Sequence, residues 1–231
     1  MKTTTRAVGM IASAGLGLAG IASGATIVLE YGVDGYTNAY DTFVWAQQPA
    51  ADYSAASTLS ADASLSAPGV AGTGESRPLF LFDIDGVLPA RSAVTSATLS
   101  LYFLEVPRRD DLKLLEMDEL WNDTSTWNSL TDPVGGSLAP VDAQRVELGR
   151  REERYHAFDV TTSIAAWQSG ASANRGWVLA NPSRDEARMQ SMEAPAGQRP
   201  RLTIDYSAVP EPVTAVLLLL GGLAFTGPWV R

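Results

Sequence analysis

The 231-residue chain is predicted to fold as an all-β protein, an antiparallel β-sandwich of about ten short strands with one short helical turn. Three observations predict it. Short runs of alternating apolar and polar residues recur through the middle of the chain, the period of a strand with one buried face. Gly, Pro, Asn, Asp and Ser cluster between these runs and mark turns. No run of helical period separates successive strands, which excludes the βαβ units of a parallel sheet.

The first element is not part of the sandwich. Lys2 and Arg6 precede an apolar, Gly- and Ala-rich core from Ala7 to Ile21, and Ser23-Gly24-Ala25 supplies small residues where a signal peptidase reads. Residues 1–25 therefore read as a signal peptide cut after Ala25, with Ala22 or Gly24 as alternatives, and a sandwich domain over 26–208 follows. Ile27, Leu29 and Tyr31 alternate with Thr26, Val28 and Glu30; Asp41 to Trp45 and Pro78 to Phe82 follow. In Thr98 to Phe103, the side chains of Leu99, Leu101 and Phe103 are expected to face the core while Thr98, Ser100 and Tyr102 face outward. Further runs are Leu112 to Met117, Arg145 to Leu148, Tyr155 to Val160, Trp177 to Leu179 and Leu202 to Tyr206.

Two kinds of segment break this pattern. Thr161 to Gln168 places Ile164, Ala165 and Trp167 behind Thr161 and Thr162, which are suited to cap a helical turn. Ala50 to Ser76 is rich in Ala, Ser and Gly and reads as a loosely ordered strand and loop, and Thr131 to Pro140 as a second loop.

Val209-Pro210-Glu211-Pro212 then introduces an apolar run from Val213 to Val230 and a final Arg231. Eighteen helical residues reach about 27 Å, close to the hydrocarbon thickness of a bilayer. This tail, residues 209–231, resembles the PEP-CTERM sorting signal, although members usually end in several basic residues rather than one. The resemblance implies an exported protein held transiently in the membrane until an exosortase-type enzyme removes the tail, with delivery to the cell surface or an extracellular polysaccharide matrix.

Composition narrows the chemistry. The net charge is −9. Setting aside Lys2, Arg6 and Arg231 of the 17 basic residues and Glu211 of the 26 acidic ones leaves 14 against 25 for the domain, a balance of −11. Such a domain is a poor partner for nucleic acid or anionic lipid. The absence of cysteine excludes disulfides and thiolate chemistry, and a single histidine, His156, leaves little basis for zinc. Oxygen ligation of calcium is open to Asp34, Asp41, Asp159 and Glu193, although these acids lie in separate segments without a loop spacing, and solvated or Arg-paired acids are the alternative. Arg108-Arg109-Asp110-Asp111 and Arg150 to Arg154 mix signs, as solvated loops do.

A second resemblance covers the middle. Asp41-Thr42-Phe43-Val44, Arg77-x-Leu79-x-x-Phe82-Asp83, Val94 to Tyr102, Trp121-Asn122 with Thr126-Trp127-Asn128, Phe158-Asp159-Val160-Thr161, Ala166-Trp167, Asn174-x-Gly176, Ser191-x-Glu193 and Arg199-Pro200-Arg201-Leu202 occur in that order. From Gly32 to Tyr206 this succession resembles the DNRLRE domain family, secreted β-sandwiches similar to carbohydrate-binding modules. The resemblance implies a sandwich of jelly-roll type and a role in glycan binding or in the cell-surface matrix. Several motif residues have structural explanations: Arg77 is expected to pair with Asp83 or Asp159, and Trp121, Trp127 and Trp167 to fill the core.

Candidate ligand contacts are the aromatics of the first polar loops, Tyr36, Tyr40, Trp45 and Tyr53, with Asn38 and Asp34 nearby. Sugar rings stack their C–H faces on such rings while amides and carboxylates meet their hydroxyls; the alternative is aromatics that merely cover a loop. Catalysis has no marker, since no nucleophile elbow, Walker or zincin motif occurs and no carboxylate pair stands out for glycoside hydrolysis. The expectation is a secreted, non-catalytic module that binds polysaccharide, with a structural matrix protein as the first alternative and a polysaccharide-degrading enzyme as the second.

Overall fold

A computed structural model describes residues 24–62, 75–105, 110–131, 141–146, 153–181 and 186–208. Among them eleven strands form one six-stranded and one five-stranded sheet, with every pairing between these strands antiparallel, and a single α-helix. The all-β sandwich expected from the alternating runs is therefore the fold. Of the expected signal peptide, the residues through Ser23, and the whole expected sorting tail with Val209, Pro210, Glu211 and Pro212, lie outside the described residues.

The strands are β1 (Gly24–Glu30), β2 (Ala39–Trp45), β3 (Thr58–Ala61), β4 (Ser76–Phe82), β5 (Ser92–Glu105) and β6 (Asp110–Glu116). Then come β7 (Asp142–Val146), β8 (Arg154–Asp159), helix α1 (Thr161–Ser169), β9 (Trp177–Ala180), β10 (Ala187–Gln190) and β11 (Arg201–Ala208). The first sheet runs β1-β11-β5-β10-β3 with β8 also on β5, and the second runs β2-β4-β9-β6-β7. The 14-residue β5 organises the first sheet: β11 takes Ser92 to Ser100 and β10 takes Phe103 and Glu105 along one edge, while β8 takes Thr98 to Phe103 along the other.

Strand alternation builds the core. Leu99, Leu101 and Phe103 of β5 are fully buried, as their spacing predicts, and meet Phe80 and Phe82 of β4, Trp177 and Leu179 of β9, and Leu112 and Leu114 of β6. Burial of each such side chain stabilises the fold by about 1.5–3 kcal/mol. The outer face of the second sheet is covered too. Val44, Leu79, Leu115 and Val178 pack under Met117, Trp121 and Leu130 of the chain between β6 and β7, with Tyr40 and Trp127 partly buried at the margin.

Two expectations about single residues are corrected. Arg77 is buried against Glu75, with the Asp62 carbonyl at 3.4 Å, rather than against Asp83 or Asp159. The helix does not begin on a threonine cap: its N-cap residue is Val160, and Asp159 Oδ1 accepts from the N–H of Thr161 at 2.9 Å and from its hydroxyl at 2.6 Å. The Thr161 hydroxyl is spent on β5, accepting from the Ala97 N–H at 2.9 Å. Strand β1 starts at Gly24, so a cut after Ala25 removes two of its seven pairings with β11, whereas a cut after Ala22 keeps all of them.

Candidate functional site

The cleft of interest lies where β2 begins, β4 ends and the α1–β9 connection passes. Its volume is ≈ 680 Å³, within the usual range for small-ligand and sugar sites. Three local devices hold its walls. Asp83 N–H donates to the Asn38 carbonyl at 2.8 Å, which extends the β2–β4 pairing by one rung beyond the sheet. The Tyr36 hydroxyl reaches the same carbonyl at 2.9 Å and that of Asp83 at 3.0 Å, while its ring stacks on Phe82 at 6.4 Å. On the third side, Asn174 Nδ2 donates to the Phe82 carbonyl at 2.7 Å and its Oδ1 accepts from Gly176 N–H at 3.1 Å.

That last clasp requires glycine. Gly176 has φ +74°, and a Cβ there would stand 2.2 Å from the Phe80 carbonyl oxygen. The Asn174-x-Gly176 motif is thus a device that presses one cleft wall onto β4.

The lining combines aromatic rings with polar groups: Tyr40 and Trp167 beside Asn38, Asn174, Asp83 and Asp85. Tyr40 is held edge-on to Trp121 at 5.0 Å, and its hydroxyl donates to the Trp121 carbonyl at 3.1 Å. Burial, and then the charges of Asp123 and Asp83, raise its phenol above the ordinary value, so it stays protonated and donating. Trp167 packs on Trp177 at 4.6 Å, and its indole N–H is buried without an acceptor among the described residues. Asp83 Oδ1 accepts from Asp85 N–H at 2.9 Å, so both carboxylates come from one turn. The arrangement can stack an apolar ring face and accept hydroxyl or amine hydrogens alongside it.

The structure divides the predicted aromatic patch. Asn38 and Tyr40 line the cleft, and Tyr36 braces it from behind, its phenol pushed up by burial and then by the Asp83 charge. Trp45 and Tyr53 belong elsewhere. Trp45 lies five positions beyond Tyr40 on β2, roughly 17 Å along the strand and on the other face. Tyr53 stacks on Phe43 at 4.0 Å and donates to Gln48 Oε1 at 3.0 Å. None of the four aromatics is fully exposed, because each buries a ring against the sandwich.

The four acids considered for calcium do not assemble, and among the described residues no group of three or more His, Asp or Glu is placed to hold a metal ion. Asp34 is exposed in a left-handed turn residue with φ 51°, and Asp159 serves the start of α1. Asp41 alone meets Glu193: it is buried, its Oδ2 accepts from Met192 N–H at 2.9 Å, and burial and then the Glu193 charge raise its pKa well above the ordinary value.

Sequence reasoning did not assign Asp83, Asp85 or Asn174 to a site, and it placed Trp167 in the core alone. Trp167 is both, 8% exposed in the core and lining the cleft. The available signal was the order of the motifs, since Phe82-Asp83, Ala166-Trp167 and Asn174-x-Gly176 each contribute one lining residue.

No curated protein matches the chain. Residues 32–206 match the model of carbohydrate-binding module family 96, nearly the span over which the ordered motifs run. The match takes in about three quarters of the sequence, and the chain therefore belongs to carbohydrate-binding module family 96.

Proposed function

We propose that this chain is an exported, non-catalytic module that binds polysaccharide in the cleft between the start of β2, the end of β4 and the α1–β9 connection. The single observation that carries this reading is the lining itself, in which Tyr40 and Trp167 lie beside Asn38, Asn174, Asp83 and Asp85. Family membership supports the same reading. A non-catalytic role is favoured by the placement of the two cleft carboxylates on one turn, whereas glycoside hydrolysis uses a pair flanking the bond to be cut.

Binding is tested with the full chain, in mild detergent, titrated with soluble polysaccharides. Saturable binding is expected, weakened roughly fivefold by Asn38→Ala, the equivalent of ~1 kcal/mol for one lost hydrogen bond. Binding that Asn38→Ala leaves unchanged would remove the cleft from the proposal, and no binding to any polysaccharide would leave a structural matrix role.

Export and sorting rest on the sequence of the two ends. The charged, apolar and small-residue order of residues 1–25 supports secretion, and Val209-Pro210-Glu211-Pro212 before Val213 to Val230 supports an exosortase-type processing partner and transient membrane residence. Intact masses of cell-associated and released protein decide the point. Loss of everything beyond about Pro212 is expected in the released protein, and an intact tail found in the membrane fraction would make the segment a permanent anchor.

A further inference from the structure

We propose that the free edge of β1 is a self-association surface, on which a second copy of this chain adds its own β1 antiparallel about a two-fold axis and joins the two six-stranded sheets into one. Among the described residues β1 pairs with β11 alone, over seven consecutive positions without a register shift, so its other edge presents backbone N–H and C=O groups that a further strand would satisfy. The other sheet margins are protected. Strand β3 has only four residues, β7 carries Asp142 and Arg145, β8 carries Arg154 and Asp159, and β2 is buried at every position except Tyr40 and Trp45. β1 has none of these devices, since residues 24–29 read Gly-Ala-Thr-Ile-Val-Leu without a charge, a proline or a bulge. Exposure points to the same edge. Three large hydrophobic side chains are exposed among the described residues, Val28, Val33 and Leu120, and two of them lie on β1 and the turn that follows it.

Charge selects a second copy as the occupant. The whole chain carries −9, so two copies repel each other except where an uncharged surface lets them approach. β1 supplies such a surface: residues 24–29 are uncharged, and Glu30, the one acid of the strand, is buried with its Oε1 accepting from the Gly197 N–H at 3.0 Å. Antiparallel pairing about a two-fold axis sets these uncharged residues against one another and closes both edges at once, leaving none for a third copy. A basic partner would find no carboxylate on this edge to hold. The pairing does not depend on the polysaccharide-binding reading, although a dimer carries two clefts and a polymer long enough to reach both is held by avidity.

The test is the molar mass of the full chain in mild detergent over a dilution series, for wild type and for two substitutions at exposed positions. Wild type and Leu120→Lys are expected to pass from dimer to monomer at the same concentration, and Val28→Lys, which a two-fold axis counts twice, at a concentration at least about tenfold higher. Leu120→Lys controls for association through the apolar tail, which neither substitution touches. Because the chain has no cysteine, Val28→Cys gives a second reading independent of the lysine variants: a short bismaleimide is expected to link it into covalent dimers and to leave Leu120→Cys unlinked. A Val28→Lys variant that associates as wild type does, or equal linking of the two cysteine variants, overturns the pairing while leaving polysaccharide binding intact. A wild type that stays monomeric throughout overturns it as well and leaves the edge to a strand from a different partner.

Discussion

At the scale of single residues, two glycines with nearly the same backbone angle separate conformational from packing constraint. Gly170 closes α1 with φ +72° and has nothing within 4 Å of the place a Cβ would occupy, whereas Gly176 at φ +74° would drive a Cβ into the Phe80 carbonyl at 2.2 Å. Gly170→Ala bears only the cost of a left-handed alanine, about 1 kcal/mol. Gly176→Ala bears that cost and must also part the α1–β9 connection from β4, so it is expected to lose at least about 3 kcal/mol. Denaturant unfolding of the two variants checks the difference; equal losses would mean that the close approach on Phe80 does not constrain the fold. Arg201 illustrates another single-residue role. Its guanidinium lies 4.1 Å from the centre of the Tyr155 ring, a cation–π contact on the outer face of the first sheet that explains an arginine at the start of β11.

At the scale of elements, what was legible in the sequence follows how many alternating positions each strand offers. β5 carries Leu99, Leu101 and Phe103 in strict alternation and announces itself. β3 and β10 have four residues each, and their alternate buried positions, Leu59 with Ala61 and Ala187 with Met189, give only two periods inside polar sequence; they are strands because they pair with each other. The cleft was legible only in part for a related reason. Asn38 and Tyr40 stood out as loop residues beside aromatics, but the opposite wall comes from Asn174, 136 positions later, through a contact that no local pattern records. The segment from Met117 to Leu130 joins these levels, since Trp121 covers the second sheet, packs on Tyr40 and donates its indole N–H to the Arg175 carbonyl at 2.7 Å. Trp121→Ala is expected to cost about 3–5 kcal/mol. It should also weaken glycan binding by releasing Tyr40, while Trp121→Phe keeps most of the packing and loses about 1 kcal/mol with the hydrogen bond. A melting series alongside binding titrations distinguishes the two, and unchanged melting of Trp121→Ala would show that the covering segment is not integral to the domain.

At the scale of the whole molecule, a chain without cysteine must join its two sheets by packing and hydrogen bonds alone. Asn181 Nδ2 donates to the Ala61 carbonyl at 2.9 Å, bridging β3 in the first sheet to the residue after β9 in the second. Asp41, on the inner face of β2, does the same by accepting from Met192 N–H in the β10–β11 connection. Its Oδ1 is buried without a hydrogen-bond partner among the described residues, a state that an unionised carboxyl tolerates far better than a carboxylate. Burial first, and the Glu193 charge second, raise its folded-state pKa well above the ordinary 3.8. The folded chain therefore holds this proton more tightly than the unfolded chain does. The resulting stability is fully present below the ordinary aspartate range and is lost as pH rises through the raised folded-state value. Asp159 and Asp205 act in the opposite sense, because hydroxyl donors from Thr161, and from Ser96 and Thr26, lower their pKa values and make their contributions fade as pH falls. Those contributions are common to the wild type and an Asp41→Asn variant, so they cancel in the difference between the two melting curves. Asparagine can still accept from Met192 but does not ionise, and the melting temperature of Asp41→Asn relative to wild type is expected to climb from acid towards neutral pH. Glu193→Gln, at an exposed position, should reduce the wild-type loss over the same range by removing the second cause of the shift. A difference between Asp41→Asn and wild type that stays constant from pH 4 to pH 8 would show that Asp41 does not retain its proton in the fold, and that the bond to Met192 is made by an ordinary carboxylate.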